Sequence, residues 1–201
     1  GGHGGDGQGG DGQGAGGPAS SASSSSATAT TGAGGGPPGT LFFSEYAEGA
    51  GNDKALEIVN RGSTSYPLGD CLIERYQNGS TTSAQAIALT GGSLSSGSVH
   101  VLCHTSFSQP GACDQLDANL QHSGDDAIAL VCGGVTKDVF GRIGQQAVWG
   151  TTPVSSQNAV LRRQCTVLVG DTVGSDAFDP AAEWRGYPQD DFSGLGEYGC
   201  P

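Results

Sequence analysis

The sequence predicts an all-β protein, an immunoglobulin-like β-sandwich over residues 41–201 that follows an extended Gly/Ser-rich N-terminal arm over residues 1–40. Three observations lead to this prediction. Short apolar segments recur between clusters of Gly, Ser, Asn and Pro, and no segment shows a sustained helical period. The first 40 residues contain no Leu, Ile, Val, Phe, Tyr or Trp, so they cannot form a hydrophobic core.

The arm consists of a glycine-rich part and a Ser/Thr-rich part. Residues 1–17 carry GGDGQ twice in tandem, and residues 18–31 are typical of an O-glycosylated stalk or of an unmodified spacer. The arm is either a flexible tether or an extended chain packed against neighbouring subunits. In the second case the absence of Cβ atoms permits close backbone approach, and representative positions of this assembly arm are Gly1, Gly5, Gly10 and Gly17.

The length of the arm makes assembly geometrically feasible. Forty fully extended residues reach at most ~130 Å, whereas a body of this size is only ~40 Å across. The arm can therefore reach past one neighbouring subunit, which permits strand donation between copies.

The first three residues form a potential metal site. A free amine at Gly1, two backbone amides that include the one at Gly2, and the imidazole of His3 can supply a square-planar nitrogen set that suits Cu(II) or Ni(II). The alternative is that Gly-Gly-His occurs by chance in a glycine-rich tail and binds no metal.

The body shows a series of predicted strands. Apolar, β-branched and aromatic residues are concentrated in five segments, 41–46, 55–60, 71–77, 98–104 and 158–163. Residues 126–140 predict a hairpin, because Gly133-Gly134 can supply the positive φ angles of its two-residue turn. Trp149 and Trp184 are expected to pack in the core or at its ends. Several short strands at this spacing indicate an immunoglobulin-type sandwich.

Six cysteines, an even number, predict three disulfides and an exported protein. They are Cys71, Cys103, Cys113, Cys132, Cys165 and Cys200. The short spacing of Cys103 and Cys113 predicts that these two pair with each other. The other four allow three pairings, which the sequence does not rank.

The sequence also bears on location and partners. The chain contains no Met, which we interpret as removal of a secretory signal peptide before Gly1, and no apolar run approaches the ~20 residues of a membrane helix. We therefore expect an extracellular or cell-surface location. The net charge of −12, with only eight basic residues, disfavours nucleic acid as a partner.

Several separated motifs resemble, in order, the lamin tail domain in its bacterial, secreted form. They are LFFSEYAEGAGNDKALEIVN, GDDAIAL, VFGRIG, NAVLRR and EWRGYPQDDFSGLGEY, spread over roughly residues 41–198. The resemblance implies an immunoglobulin-like β-sandwich that serves as an accessory module of exported proteins, sometimes beside a nuclease domain. It implies no catalytic residues.

The resemblance places a set of acidic residues at family positions: Glu45, Glu48, Glu57, Asp125 and Asp126. In a structural interpretation, Glu45, Glu57 and Lys54 form ion pairs across strands. Asp125 then accepts N–H bonds in the turn that precedes the hairpin.

Metal binding is the functional interpretation of the same region. Asp125 and Asp126, together with Asn52, offer hard oxygen ligands for calcium, although no EF-hand spacing is present. His100 and His104 can share a strand face and give a weak metal site at best.

Strand alternation separates the adjacent Arg162 and Arg163. One side chain should face outward and the other should face the opposite side, where it requires a carboxylate. Asp190 and Asp191 are the candidate partners.

The sequence contains no GxSxG, HExxH or P-loop motif, so we predict no enzymatic activity and no cofactor beyond a possible calcium or copper ion. The leading hypothesis is a secreted structural protein that assembles head to tail with itself, through its arm, into a fibre or surface layer. The alternative is a tethered extracellular module that binds a polysaccharide, calcium or a cell-surface protein. A nuclease-related enzyme is the weakest hypothesis.

Overall fold

The computed structural model describes residues 1–2 and 40–200 of the chain, and strands dominate the described part. Two 3₁₀ turns, Gln77–Gly79 and Pro110–Ala112, interrupt the β structure. The strands and the single short helix follow one another as β1 (Leu41–Glu48), β2 (Lys54–Asn60), β3 (Tyr66–Pro67), β4 (Cys71–Tyr76), β5 (Gln85–Ala88), β6 (Ser93–Leu94), β7 (Val99–Cys103), β8 (Gln115–Leu116), β9 (Ala127–Cys132), β10 (Val135–Phe140), β11 (Gly150–Thr151), β12 (Val154–Ser155), β13 (Ala159–Arg163), α1 (Pro180–Glu183) and β14 (Trp184–Pro188).

Two larger sheets make up the body. The six-stranded sheet has the order β14-β13-β1-β2-β7-β8, and all its pairs are antiparallel except β7 with β8. The four-stranded sheet has the order β10-β9-β4-β5 and is antiparallel throughout. Two small ribbons, β11-β12 and β3-β6, complete the strands. The predicted all-β sandwich is therefore confirmed.

The core lies between these two sheets and is built around large aromatic side chains. Tyr46 of β1 stacks on Phe140 of β10 with ring centroids 3.9 Å apart, and Trp184 meets Phe140 edge-on at 5.4 Å. The Tyr46 hydroxyl donates to the Ser156 carbonyl at 3.0 Å, so this buried ring keeps its polar end satisfied. Both Trp184 and Trp149 are buried, as the sequence predicts.

Each of the five predicted strand segments overlaps an observed strand, and the predicted hairpin is β9–β10. Gly133 and Gly134 adopt φ values of 58° and 74°, which residues with side chains seldom adopt. Among the longer strands, β5 and β14 were not predicted from the sequence. Both are short edge strands, and β14 contains a glycine and a proline that weaken its sequence signal.

All six cysteines form disulfides. Cys103 bonds Cys113, the predicted local pair, and the other bonds are Cys71–Cys132 and Cys165–Cys200. Cys71 and Cys132 lie directly opposite each other on β4 and β9. The Cys165–Cys200 bond ties the C-terminal segment to the chain just after β13. No helix in the described residues is both long and apolar enough to cross a membrane.

Asp138 connects the two sheets from its fully buried position on β10. Its carboxylate accepts from the Phe43 amide of β1 at 2.8 Å, from the Asp171 amide at 2.7 Å, and from Arg163 Nη2 of β13 at 3.1 Å. Burial raises the pKa of Asp138 to about 6, and the neighbouring Arg163 opposes that shift. The buried arginine is therefore Arg163, and its partner is Asp138, with Glu183 at 3.2 Å as a second.

The predicted partner of the buried arginine was wrong. Asp190 instead accepts from the Ala50 amide at 2.8 Å, and Asp191 binds the less buried Arg162. The closing segment that carries both aspartates packs over the outer face of the six-stranded sheet, whereas Arg163 points into the sandwich.

Replacing Asp138 should destabilise the fold strongly. Asp138→Ala removes the acceptor of the buried Arg163 side chain and of three backbone N–H groups, those of Phe43, Val139 and Asp171, so we expect a loss of ~3–5 kcal/mol in the free energy of unfolding. Urea denaturation monitored by tryptophan fluorescence measures it. Asp176→Ala, at an exposed position, is the matched control and should change the value little. Equal stability of the two variants would contradict the role of Asp138.

Candidate functional site

A cavity of about 220 Å³ lies on the outer face of the six-stranded sheet. Side chains alternate along a strand, so β1 directs Tyr46 into the core and Glu45 to the outer face. Glu45, Glu57 of β2 and Arg162 of β13 line the cavity from the sheet, and residues 197–200 line it from the C-terminal segment. We call it the C-terminal cavity.

Two carboxyl groups face each other in this cavity. Glu45 and Glu57 are direct partners in the β1–β2 register, and a register shift between Phe43 and Glu45 precedes them. Glu57 accepts from Ser44 Oγ and from the Gly196 amide, each at 2.7 Å. Burial raises the pKa of Glu57. Neighbouring acidic groups of this kind are unfavourable when both are ionised.

Glu45 is the more perturbed of the two. Only 2% of the residue is exposed. Its Oε2 accepts from Arg162 Nε at 3.1 Å, whereas Oε1 has no hydrogen-bond partner among the described residues. Burial raises the pKa of Glu45 to about 8, an effect larger than the opposing effect of the Arg162 charge. Burial therefore favours the protonated form of Glu45, whereas the contact with Arg162 favours the ionised form.

The predicted ion pairs among Glu45, Glu57 and Lys54 were wrong in their partners. Glu45 binds Arg162, and Lys54 binds Glu48 with an Nζ–Oε1 distance of 2.6 Å. The sequence pattern places these residues on strands but does not determine the register, which sets Glu45 against Glu57 and Glu48 against Lys54.

Arg162 is fixed by contacts on several sides. Its Nη2 lies 3.2 Å from Asp191 Oδ1, a predicted partner, and its guanidinium lies 3.9 Å from the centre of the Tyr187 ring. The Ser193 hydroxyl and amide lower the pKa of Asp191, and Arg162 contributes further, so this carboxylate stays ionised and balances the arginine. Gly194 allows the C-terminal segment to approach, because a Cβ there would collide with Arg162 and Glu45.

Some residues that line the cavity carry buried polar atoms without partners. Among the described residues, nine buried side-chain nitrogen and oxygen atoms have no hydrogen-bond partner, and four of them belong to residues that line this cavity. These four atoms are Glu45 Oε1, Arg163 Nε, Arg163 Nη1 and the Tyr198 hydroxyl oxygen. They are closed off from solvent, so the candidate binding site is the cavity with its accessible polar lining, and not these atoms.

The predicted calcium residues lie elsewhere and are bonded to protein groups. Asp126 is buried, forms an ion pair with Arg75 at 3.1 Å, and accepts from the Asn78 and Ser123 amides. Asp125 accepts from Gln146 and from the Ser123 hydroxyl, and these bonds lower its pKa. The main acceptor of the turn is therefore Asp126, while Asp125, the predicted acceptor, is bonded chiefly by side chains.

The histidines are dispersed. His100 lies 3.3 Å from Gln115 Oε1, and His104 Nδ1 accepts from the Ser106 amide. His122 is buried with Nε2 2.9 Å from the Ala47 carbonyl, and burial lowers its pKa to about 3. Within residues 1–2 and 40–200, no three His, Cys, Asp or Glu side chains form a group that could hold a metal ion.

The predicted arm sites lie mostly outside the described part of the chain. Gly1 and Gly2 are described, whereas His3, Gly5, Gly10 and Gly17 are not. The copper or nickel site and the assembly arm therefore stay predictions.

The cavity was not predicted from the sequence. Glu45, Glu57 and Arg162 were singled out one by one, but Tyr187, Tyr198 and the 197–200 wall were not. The available signal was Cys200, because a disulfide at this position had to return the C-terminus to the body.

Comparison with known proteins gives no assignment. No family model matches the chain, and no match to a curated protein or to a solved structure was found. The resemblance to the lamin tail domain therefore stays a prediction.

The raised pKa of Glu45 predicts a pH dependence of stability. Its pKa is raised in the folded state, so its contribution is fully present below the unfolded value near 4.5 and is lost as the pH rises towards about 8. Thermal unfolding at pH 5 and pH 8 should show a smaller loss of Tm for Glu45→Gln than for the wild type. Glu197→Gln, at an exposed position beside the same cavity, should keep the wild-type difference. An unchanged pH dependence in Glu45→Gln would contradict this assignment.

Proposed function

We propose that the protein is a non-enzymatic extracellular binding module that is tethered by its arm and takes a polar ligand into the C-terminal cavity. The observation that carries this proposal is the cavity itself, which Glu45, Glu57 and Arg162 line from the sheet and residues 197–200 line from the C-terminal segment. Concave sites with a few fixed polar groups are the usual form of a ligand pocket.

The disulfides support the extracellular part of the proposal. All six cysteines are paired, which is typical of proteins that fold in an oxidising compartment. One of the three bonds, Cys165–Cys200, belongs to the cavity itself, since both residues line it. In a reducing compartment the Cys165–Cys200 disulfide would break, and the C-terminal segment would no longer be fixed beside the cavity.

Binding is favoured over catalysis because the charged groups of the cavity are held by fixed protein partners. Glu57 is bound by Ser44 and Gly196, and Arg162 by Glu45 and Asp191. Such fixed groups present a constant hydrogen-bonding surface to a ligand.

A cavity-filling variant tests the proposal. Gly199 lies in the wall, a Cβ at this position would meet open space, and its φ is not positive, so Gly199→Trp should fold and obstruct the cavity. Gly69→Trp is the matched control, because Gly69 has the same open surroundings away from the cavity. Pull-down with a panel of soluble polysaccharides should show binding by the wild type and Gly69→Trp, and loss of about tenfold in affinity for Gly199→Trp.

Two outcomes would contradict the proposal. If none of the three proteins binds, or if all three bind equally, the cavity is not the binding site. Shortened polysaccharide chains after incubation would overturn the non-enzymatic part of the proposal.

Self-assembly through the arm is the second candidate function, and β5 is the structural observation that favours it. This strand lies at the edge of the four-stranded sheet, and Ala86 and Ala88 on it are exposed. Edge strands offer backbone groups to an added strand. An arm of 40 residues can reach such an edge on another copy, which would build an open filament.

Deletion of residues 1–40 tests the assembly. We expect the truncated protein to keep its far-UV circular dichroism, since the core begins at Leu41, and to form no filaments under negative-stain electron microscopy. The full-length chain at the same concentration is the control. Filaments formed by the truncated protein would contradict the proposal that the arm mediates assembly.

A further inference from the structure

Four charged residues stand in one row across the outer face of the six-stranded sheet. Residues directly opposite each other on neighbouring strands share a face. Such pairs join β2 to β1, β1 to β13 and β13 to β14, so the row consists of Glu57, Glu45, Arg162 and Arg185. All four residues line the C-terminal cavity. The row therefore ends in two neighbouring arginines at one side of the cavity.

The two arginines of the row differ in their partners. Arg162 forms ion pairs with Glu45 and Asp191. Arg185 is exposed and forms no ion pair with any described residue. Its direct cross-strand neighbour is Arg162, and like charges in this arrangement are unfavourable. Arg185 is therefore a cationic group of the cavity lining whose charge the protein leaves uncompensated.

The position beside Arg185 is open to a ligand carboxylate. The sheet order ends at β14, so no further strand of this sheet lies beyond Arg185 to supply an acidic partner. A carboxylate bound there would continue the row and compensate the arginine. The planar guanidinium group suits this role, because it can donate two parallel N–H···O bonds to one carboxylate.

The size of the cavity and the charge of the protein limit the ligand. The volume of about 220 Å³ is below the roughly 300–1,000 Å³ of pockets for drug-sized ligands. The net charge of −12 repels a dense polyanion. Both observations favour a small molecule, or the end unit of a larger one, that carries a single negative charge.

We infer that the C-terminal cavity binds a small organic acid through one carboxylate group, which pairs with Arg185. This inference rests on the proposed binding function and names the ligand class for the same cavity. A free acid and a neutral polysaccharide chain that ends in one acidic unit share this chemistry.

The experiment titrates the full chain at pH 6 with three monosaccharides of similar ring and different charge, and follows backbone amide shifts by NMR. Glucuronate is anionic, glucose is neutral and glucosamine is cationic. We expect glucuronate to bind at least about tenfold more tightly than the other two, and Gly199→Trp to abolish its binding. A glucose trimer that ends in one glucuronate is the fourth probe. Binding of either acid supports the inference, and the tighter binder identifies the source.

Two variants test the role of Arg185. Arg185→Gln changes an exposed position, so it should fold normally and lose about fivefold or more in affinity for glucuronate. Arg185→Lys keeps the charge without the planar fork and should lose less. Arg142→Gln is the matched control, because Arg142 is exposed, lies outside the cavity lining and changes the net charge equally. Its affinity should stay at the wild-type value.

The outcomes separate the ligand class from the binding function. Tighter binding of glucose or glucosamine that Gly199→Trp abolishes would overturn the inference of an acid and leave the binding module standing. Equal affinity of the wild type and Arg185→Gln for glucuronate would overturn the pairing with Arg185. Binding of none of the four probes would overturn the inference, and a Gly199→Trp-sensitive ligand of another class in the wider panel would still support the module.

Discussion

The carboxylate of Asp138 is the constraint on which the rest of the structure depends. It is the acceptor for backbone and side-chain donors from β1, β13 and the segment after β13, and it lies on a strand of the opposite sheet. A charge buried this completely is tolerated only where several hydrogen bonds compensate it. These bonds fix how far β13 can slide relative to β10, and so they fix the position of Arg162, the next residue along β13, on the outer face.

Arg162 and Arg163 are neighbours on β13, and their side chains therefore point to opposite faces of the sheet. Arg163 points inward, where it lies over the Trp184 ring with a distance of 4.6 Å and pairs with Asp138. Arg162 points outward, where it holds Glu45 and Asp191. The cavity therefore lies against a strand that is also held from the core side. The Cys165–Cys200 disulfide adds the opposite wall.

The features that local sequence determines were predictable, and the cavity was not. The β9–β10 hairpin follows from Gly133-Gly134, and the Cys103–Cys113 bond follows from short spacing. The contacts of Asp138 and the apposition of Glu45 with Glu57 depend on strand register and on partners far apart in sequence, Phe43 and Asp138 being 95 residues apart. An aspartate in an alternating strand pattern resembles a solvent-facing residue until the opposite sheet is in place.

The buried carboxyl group of Glu45 carries a free-energy cost. Burial favours its protonated form, and its Oε1 has no protein partner among the described residues. Such an atom destabilises the fold, and an apolar residue at this position is expected to stabilise the sandwich. The contacts of Arg162 with Glu45 and Asp191, and the contact of Arg163 with Asp138, must therefore offset this cost.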